Sequence, residues 1–226
     1  MKSYALVIIS LFFASCVGAK NWTAPTDLMS GSAATIVKEA VAAGHLRDLM
    51  ILAEEQLFNT EEHRFGEILK EAIASGQLTE DELDTAKWML HDVIELNSAG
   101  RKASDFQFKT QEQGELTLWN YLPGKPLLLV IYDPDCGSCK NVISQLQNVS
   151  ERIDVLAVCV EATEARWQQT RELLPMDWVK AFDCSDILMN DSYIIRSMPG
   201  LYLLDGERYV ILKHPKPEQL LNYLKK

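Results

Sequence analysis

Cys136, Gly137, Ser138 and Cys139 place two thiols three residues apart. They follow the apolar run 127–132 and precede a stretch in which Val142, Ile143, Leu146 and Val149 repeat with helical spacing. A strand, a tight turn, a Cys-x-x-Cys pair and a helix in that order point to thiol–disulfide chemistry more strongly than the cysteine spacing alone. A cysteine in the first turn of a helix sees unpaired backbone N–H groups and the positive end of the helix dipole, which favour its thiolate. A second cysteine three residues on lies within reach to attack a mixed disulfide formed on the first. A zinc site and a purely structural disulfide are the competing uses of such a pair. Zinc would want two more ligands at matching spacing, whereas Cys16, Cys159 and Cys184 form no second pair and the 4 histidines are scattered. No metal ligand set is therefore expected.

The elements that must hold this motif can be read around it. Residues 105–110 alternate, Gly114 marks a turn, and residues 115–118 can pair back as a hairpin. Pro123 and Gly124 make a turn into the strand 127–132. Residues 153–160 are apolar on both faces, the pattern of a buried parallel strand. A helix near 164–174 and a short strand near 178–182 follow, then residues 201–204 and 209–212 around Asp205 and Gly206, a hairpin signal. Pro217 at a first helical turn opens a last helix with Leu220, Leu221 and Leu224. Strands alternating with helices predict a mixed α/β sheet covered on both faces.

Residues 30–98 differ in kind. Leu46, Leu49, Met50, Ala53, Leu57 and Phe58 share one helical face, as do Phe65, Ile68, Leu69, Ala72 and Ile73, and then Leu83, Ala86, Leu90, Val93 and Ile94. Thr79 with Glu82 fits a capping box, and Gly44, Gly76 and Gly100 stand where helices should stop. His45, His63 and His91 share no ligand spacing and read as surface residues. The polar segment 98–104 reads as a linker, so a helical module over 25–100 precedes an α/β domain over 101–226. The helical module carries no concentrated chemistry; it could shape a substrate surface or a dimer interface, and the oligomeric state stays open.

The chain starts with Met1 and Lys2 and is apolar over 4–13 apart from Ser10, too short a run to span a bilayer. An export signal over 1–19 is expected. Val17, Gly18 and Ala19 suit cleavage before Lys20, while residues 13–16 resemble a bacterial lipobox that would make Cys16 a lipidated first residue. Export puts the thiols under oxidising or managed redox conditions. The acidic balance, 32 Asp and Glu against 22 Lys and Arg for a net charge of −10, argues against nucleic acid as a partner.

The strand–Cys-x-x-Cys–helix unit, followed by Ser197, Met198, Pro199 and Gly200 ahead of an apolar strand, resembles the thioredoxin fold. The helix-and-strand insert between about 163 and 182 is similar to the TlpA/ResA-like branch of exported thiol–disulfide oxidoreductases, and within it to bacterial lipoproteins with an extra helical N-terminal domain. The resemblance covers roughly 105–226. It implies a thioredoxin-like fold with a central mixed sheet flanked by helices, behind a small all-α domain. It implies catalysis by Cys136 and Cys139 with no bound cofactor, the dithiol itself being the redox centre. It further implies that Pro199 is cis and faces the pair, and that the Met198 backbone holds a substrate segment. Protein disulfides would be the substrates and a membrane electron donor would restore the dithiol. The protein would sit in the bacterial periplasm or cell envelope, touching the membrane only through a lipid on Cys16.

Three positions depart from the family pattern. Asp135 replaces the usual Trp before the first cysteine, Val142 an expected Glu, and Val130 the buried acid of typical thioredoxins. Asp133 and Asp135 are left as turn residues around Pro134, with Asp135 as a helix cap or the two sharing proton handling. The helix start lowers the Cys136 thiol and a nearby carboxylate raises it; an acidic loop with no adjacent His or Arg is expected to favour a disulfide reductase. Cys159 and Cys184, at strand ends, could form a second disulfide. The rival expectation is a binding or assembly module that uses the fold as a scaffold with no essential redox activity.

Overall fold

A computed structural model describes residues 27–58, 60–121 and 125–225; Cys16, the whole of the signal 1–19, and the Pro123–Gly124 turn lie outside them. The chain divides into two compact units, Met1–Glu95 and Leu96–Lys226.

The first unit is all helical. Four α-helices, α1 (Ala33–Ala43), α2 (Leu46–Leu57), α3 (Glu62–Ala74) and α4 (Glu80–Trp88), lead into a π-helical turn over Met89–Ile94. Ser32 caps α1 by accepting from the Thr35 N–H, and Gly44 ends it in the left-handed region at φ +74°. Thr79 and Glu82 form the reciprocal capping box expected for α4. The apolar stripes converge: Leu49, Met50, Ala53, Phe65, Ile68, Leu69, Ala72 and Ala86 are all fully buried. Gly66 has a packing role, since a Cβ there would lie 3.2 Å from Ile94 Cγ2, so α3 and the π turn approach backbone to side chain.

The second unit holds a seven-stranded sheet in the order β2-β1-β5-β4-β3-β6-β7. Its strands are β1 (Gln107–Thr110), β2 (Gly114–Thr117), β3 (Leu127–Tyr132), β4 (Asp154–Cys159), β5 (Val179–Asp183), β6 (Gly200–Leu204) and β7 (Val210–Lys213). β3, β4 and β5 run parallel at the centre, and the outer pairs are antiparallel. The helices are α5 (Gly137–Gln145), α6 (Glu164–Thr170) and α7 (Pro217–Tyr223). All six side chains of β3 are buried because it serves two cores. Leu127, Leu129 and Ile131 join Leu156, Val158 and Tyr202 on one face. Leu128, Val130 and Tyr132 join Val155, Cys159 and Leu201 on the other. Alternation of side chains across a strand turns one apolar run into two packing surfaces.

The segment expected to be a linker is instead part of this unit. Gly100 N–H donates to Val210 O, Val210 N–H to Arg101 O and Ala103 N–H to Arg208 O, and Ala103 is fully buried. Small, polar side chains disguised backbone that pairs beside β7. The stretch read as one helix through Ile94 also changes hydrogen-bond register after Trp88.

Candidate active site

β3 delivers the chain to the site. After Tyr132, Asp133 Oδ1 accepts the Asp135 N–H at 2.8 Å, which closes a turn around Pro134. Cys136 itself then occupies the N-cap of α5, with extended backbone at φ −77°, ψ 120°. Its Sγ accepts the Cys139 N–H at 3.4 Å, so the sulfur takes one of the free donors at the helix start. This corrects the expectation that Asp135 caps the helix. Asp135 lies one residue too early, and its carboxylate turns outward to the guanidinium of Arg166 on α6, with Nε 3.3 Å from Oδ2. Arg166 holds the Asp135 carboxyl below its ordinary range through hydrogen bonding and then through charge.

Cys136 is half-buried and Cys139 only 1% exposed, so the first sulfur is the one open to a partner. Burial alone would raise the Cys136 thiol, but hydrogen bonds from Ser138 and Cys139 outweigh it and the thiol is lowered. Of the two opposing influences expected on this thiol, the lowering one prevails. The acidic loop does not act as free negative charge, because Arg166 occupies the Asp135 carboxylate. Burial pushes Cys139 up to about 12, with the neighbouring Cys136 adding to the rise. The two thiols are thus split: one prone to ionise, the other held neutral until called upon.

The Met198–Pro199 peptide bond is cis. It lies opposite the cysteines, where Ser138 Oγ donates to Met198 O at 2.9 Å while also lying 2.9 Å from Cys136 Sγ. At Gly200, which opens β6, an added Cβ would stand 2.4 Å from Ile195 Cδ1, so any side chain there would have to displace Ile195. Behind Cys139, Tyr132 and Cys159 oppose each other in the β3–β4 register. Burial raises both groups, Cys159 to about 12. Beside α5, an open groove of about 690 Å³ is lined by Tyr132, Pro134, Cys139, Ile143, Thr170 and Leu174 among others. Val130 is fully buried, so an apolar side chain fills its place in β3. Cys159 is buried and Cys184 exposed, both as free thiols. Among the described residues no cluster of His, Cys, Asp or Glu could hold a metal ion.

The family model that matches this chain, over residues 99–211, is described as the AhpC/TSA family. That span is half the chain and contains both cysteines and the cis-proline. The chain belongs to the AhpC/TSA family. This AhpC/TSA protein has the thioredoxin-like fold that its motifs imply. A thioredoxin-like protein from Bacteroides caccae is similar at a TM-score of 0.73, with 23% identity over 85% of this chain and 76% of that one. A conserved protein of unknown function from Bacteroides fragilis is 31% identical, over 56% of this chain and 98% of its own, at a TM-score of 0.52. The C-terminal domain of an uncharacterised Bacteroides fragilis protein matches at 26% identity and a TM-score of 0.53, over 57% of this chain and 99% of that one. No curated protein matches the sequence.

Two residues of the site escape sequence reasoning. Arg166 is 31 positions from Asp135, on a helix with no motif. Ser138 sits inside the Cys-x-x-Cys, but its acceptor is 60 positions away. Only the fold brings them together.

Proposed function

We propose that this protein is an exported thiol–disulfide oxidoreductase that reduces disulfides in other proteins. The observation that carries the reading is the split pair: a half-exposed Cys136 with a lowered thiol at a helix start, three residues before a buried Cys139 raised to about 12. The Cys136 thiolate attacks one sulfur of a substrate disulfide. A Cys136–substrate bond forms, the substrate S–S bond breaks, and the departing thiolate takes a proton from water. Cys139, losing its proton, attacks Cys136 Sγ, closes the internal disulfide and releases the second substrate thiol. Two electrons pass from the dithiol to the substrate. A membrane dithiol donor of the cell envelope restores the pair, and the dithiol is the redox centre without a further cofactor.

The reducing direction is supported by what favours the thiolate. Cys136 is held down by hydrogen bonds from Ser138 and Cys139, while the nearby cation, Arg166, is engaged by Asp135. A strongly stabilised thiolate makes an oxidant, and a modestly stabilised one a reductant. The apolar N-terminal run and Cys16 support export with a lipid anchor, and among the described residues no helix is long and apolar enough to cross a membrane. The test is dithiothreitol-driven reduction of insulin. Cys136→Ser is expected to abolish turnover, and Cys139→Ser to accumulate a mixed disulfide with insulin. Full activity in Cys136→Ser would overturn the proposal and favour a scaffold role for the fold.

A further inference from the structure

We propose that Ser138 is a positioning residue that links docking of a substrate backbone at Met198 to ionisation of Cys136. The inference rests on the exchange chemistry proposed above and assigns it a recognition step. The Ser138 hydroxyl has one proton and two neighbours that can use it: Cys136 Sγ and Met198 O, each at 2.9 Å. A carbonyl oxygen only accepts, so in this arrangement Ser138 donates to Met198 and the Cys136 S–H donates to Ser138. The chain runs S–H to Oγ–H to O=C.

Ionisation reverses it. When the Cys136 proton leaves to water, Sγ becomes a charged acceptor, and hydrogen bonds to charge are roughly twice as strong as neutral ones. The Ser138 hydroxyl then rotates to the thiolate, and Met198 O loses its donor. That carbonyl sits on the half-buried residue before the cis-proline, where a peptide N–H in extended conformation can replace Ser138. The link is reciprocal. A peptide N–H arriving at Met198 O displaces the serine proton towards Sγ and favours the thiolate; forming the thiolate opens the carbonyl for the peptide. The ligand class is therefore an extended polypeptide with a free backbone amide beside its disulfide, and the nucleophile is most active once that peptide is seated.

The charged and titratable groups around Cys136 do not supply this link. Asp133 is used by the Asp135 N–H, Asp135 by Arg166, and Cys139 is buried and neutral. Lys140 acts on Asp135, and Arg196, in the segment before Met198, on His214.

Two measurements test the proposal. In the first, the pH midpoint of iodoacetamide alkylation at Cys136 is compared in wild type, Ser138→Ala and Ser138→Thr. Loss of one hydrogen bond to a charged sulfur is expected to raise the midpoint by about one pH unit in Ser138→Ala, and Ser138→Thr, which keeps the hydroxyl, to restore it. In the second, exchange is followed with a disulfide-linked peptide and with the same peptide N-methylated at the amides flanking its cysteine. N-methylation is expected to slow wild type by at least about tenfold and Ser138→Ala by clearly less, a non-additive cycle. An unmoved midpoint, or an equal N-methyl effect in both proteins, would overturn the inference. If wild type exchanges with neither peptide nor 2-hydroxyethyl disulfide, the proposed function falls, and the alkylation midpoints, which need no exchange, still decide for or against Ser138.

Discussion

Alkylation of the reduced protein at pH 7 should label Cys136 far ahead of Cys139, and the size of the gap follows from the site. The Cys136 thiol lies below the ordinary 9.0 and Cys139 near 12. At pH 7 the thiolate fractions then differ by at least ~10³, one factor of ten for each unit between them. A less acidic thiol gives a more nucleophilic thiolate, with a Brønsted slope of roughly 0.4–0.5, which returns about 15- to 30-fold to Cys139. The net preference for Cys136 is at least ~30-fold, before counting the 1% exposure of Cys139, which keeps the reagent from its sulfur. Exposed Cys184 has a thiol raised mainly by burial and should fall between the two, while Cys159, fully buried and raised to about 12, should label with Cys139 or later. The assay quenches an iodoacetamide time course and reads each site by peptide fragmentation, which separates the two cysteines that share one tryptic peptide. Labelling of Cys139 at a rate within a few-fold of Cys136 would refute the division of labour between nucleophile and resolving thiol.

Further outcomes follow from particular groups. His214 is half-buried, its Nε2 lies 3.2 Å from the Tyr202 hydroxyl, and burial, then Lys213 and Arg196, lower it to about 3. A depressed histidine is neutral when folded, so its contribution is intact above the unfolded value near 6.5 and is lost as pH falls towards 3. Between pH 7 and 5 wild type should lose roughly 1–2 kcal/mol more in urea unfolding than His214→Asn, after allowance for partial solvent screening; Asn tolerates the positive φ of this position, 51°. Parallel losses in both proteins would show that His214 does not titrate on unfolding. Arg166→Ala frees the Asp135 carboxylate next to Cys136. The alkylation midpoint of Cys136 should rise, and the rise should shrink in 0.5 M salt because the charges are exposed. A midpoint indifferent to both the substitution and the salt would remove Arg166 from the account.

Much of this was legible because local rules and the fold agree. The six-residue apolar run of β3, bounded by turn signals, reads as a buried strand, the capping box at Thr79 marks a helix start, and a Cys-x-x-Cys between strand and helix has few other uses. The reading failed where a residue's partner lies far along the chain. Asp135 looked like a cap beside the helix, yet Arg166 claims it from α6. The acidic loop was therefore assigned a field that the folded protein cancels. Residues 98–104 looked like a linker because pairing beside β7 engages backbone groups, which side-chain patterns do not report. His214, one of the scattered histidines, is packed on Tyr202 at a ring distance of 4.9 Å.

The most direct test of the central claim is a redox titration of the Cys136–Cys139 pair in dithiothreitol buffers of graded potential, with free thiols trapped and counted by mass. The account expects a single two-electron transition in which both cysteines gain and lose their labels together, and no such transition in either Cys136→Ser or Cys139→Ser. Two thiols that label independently of one another at every potential would contradict it.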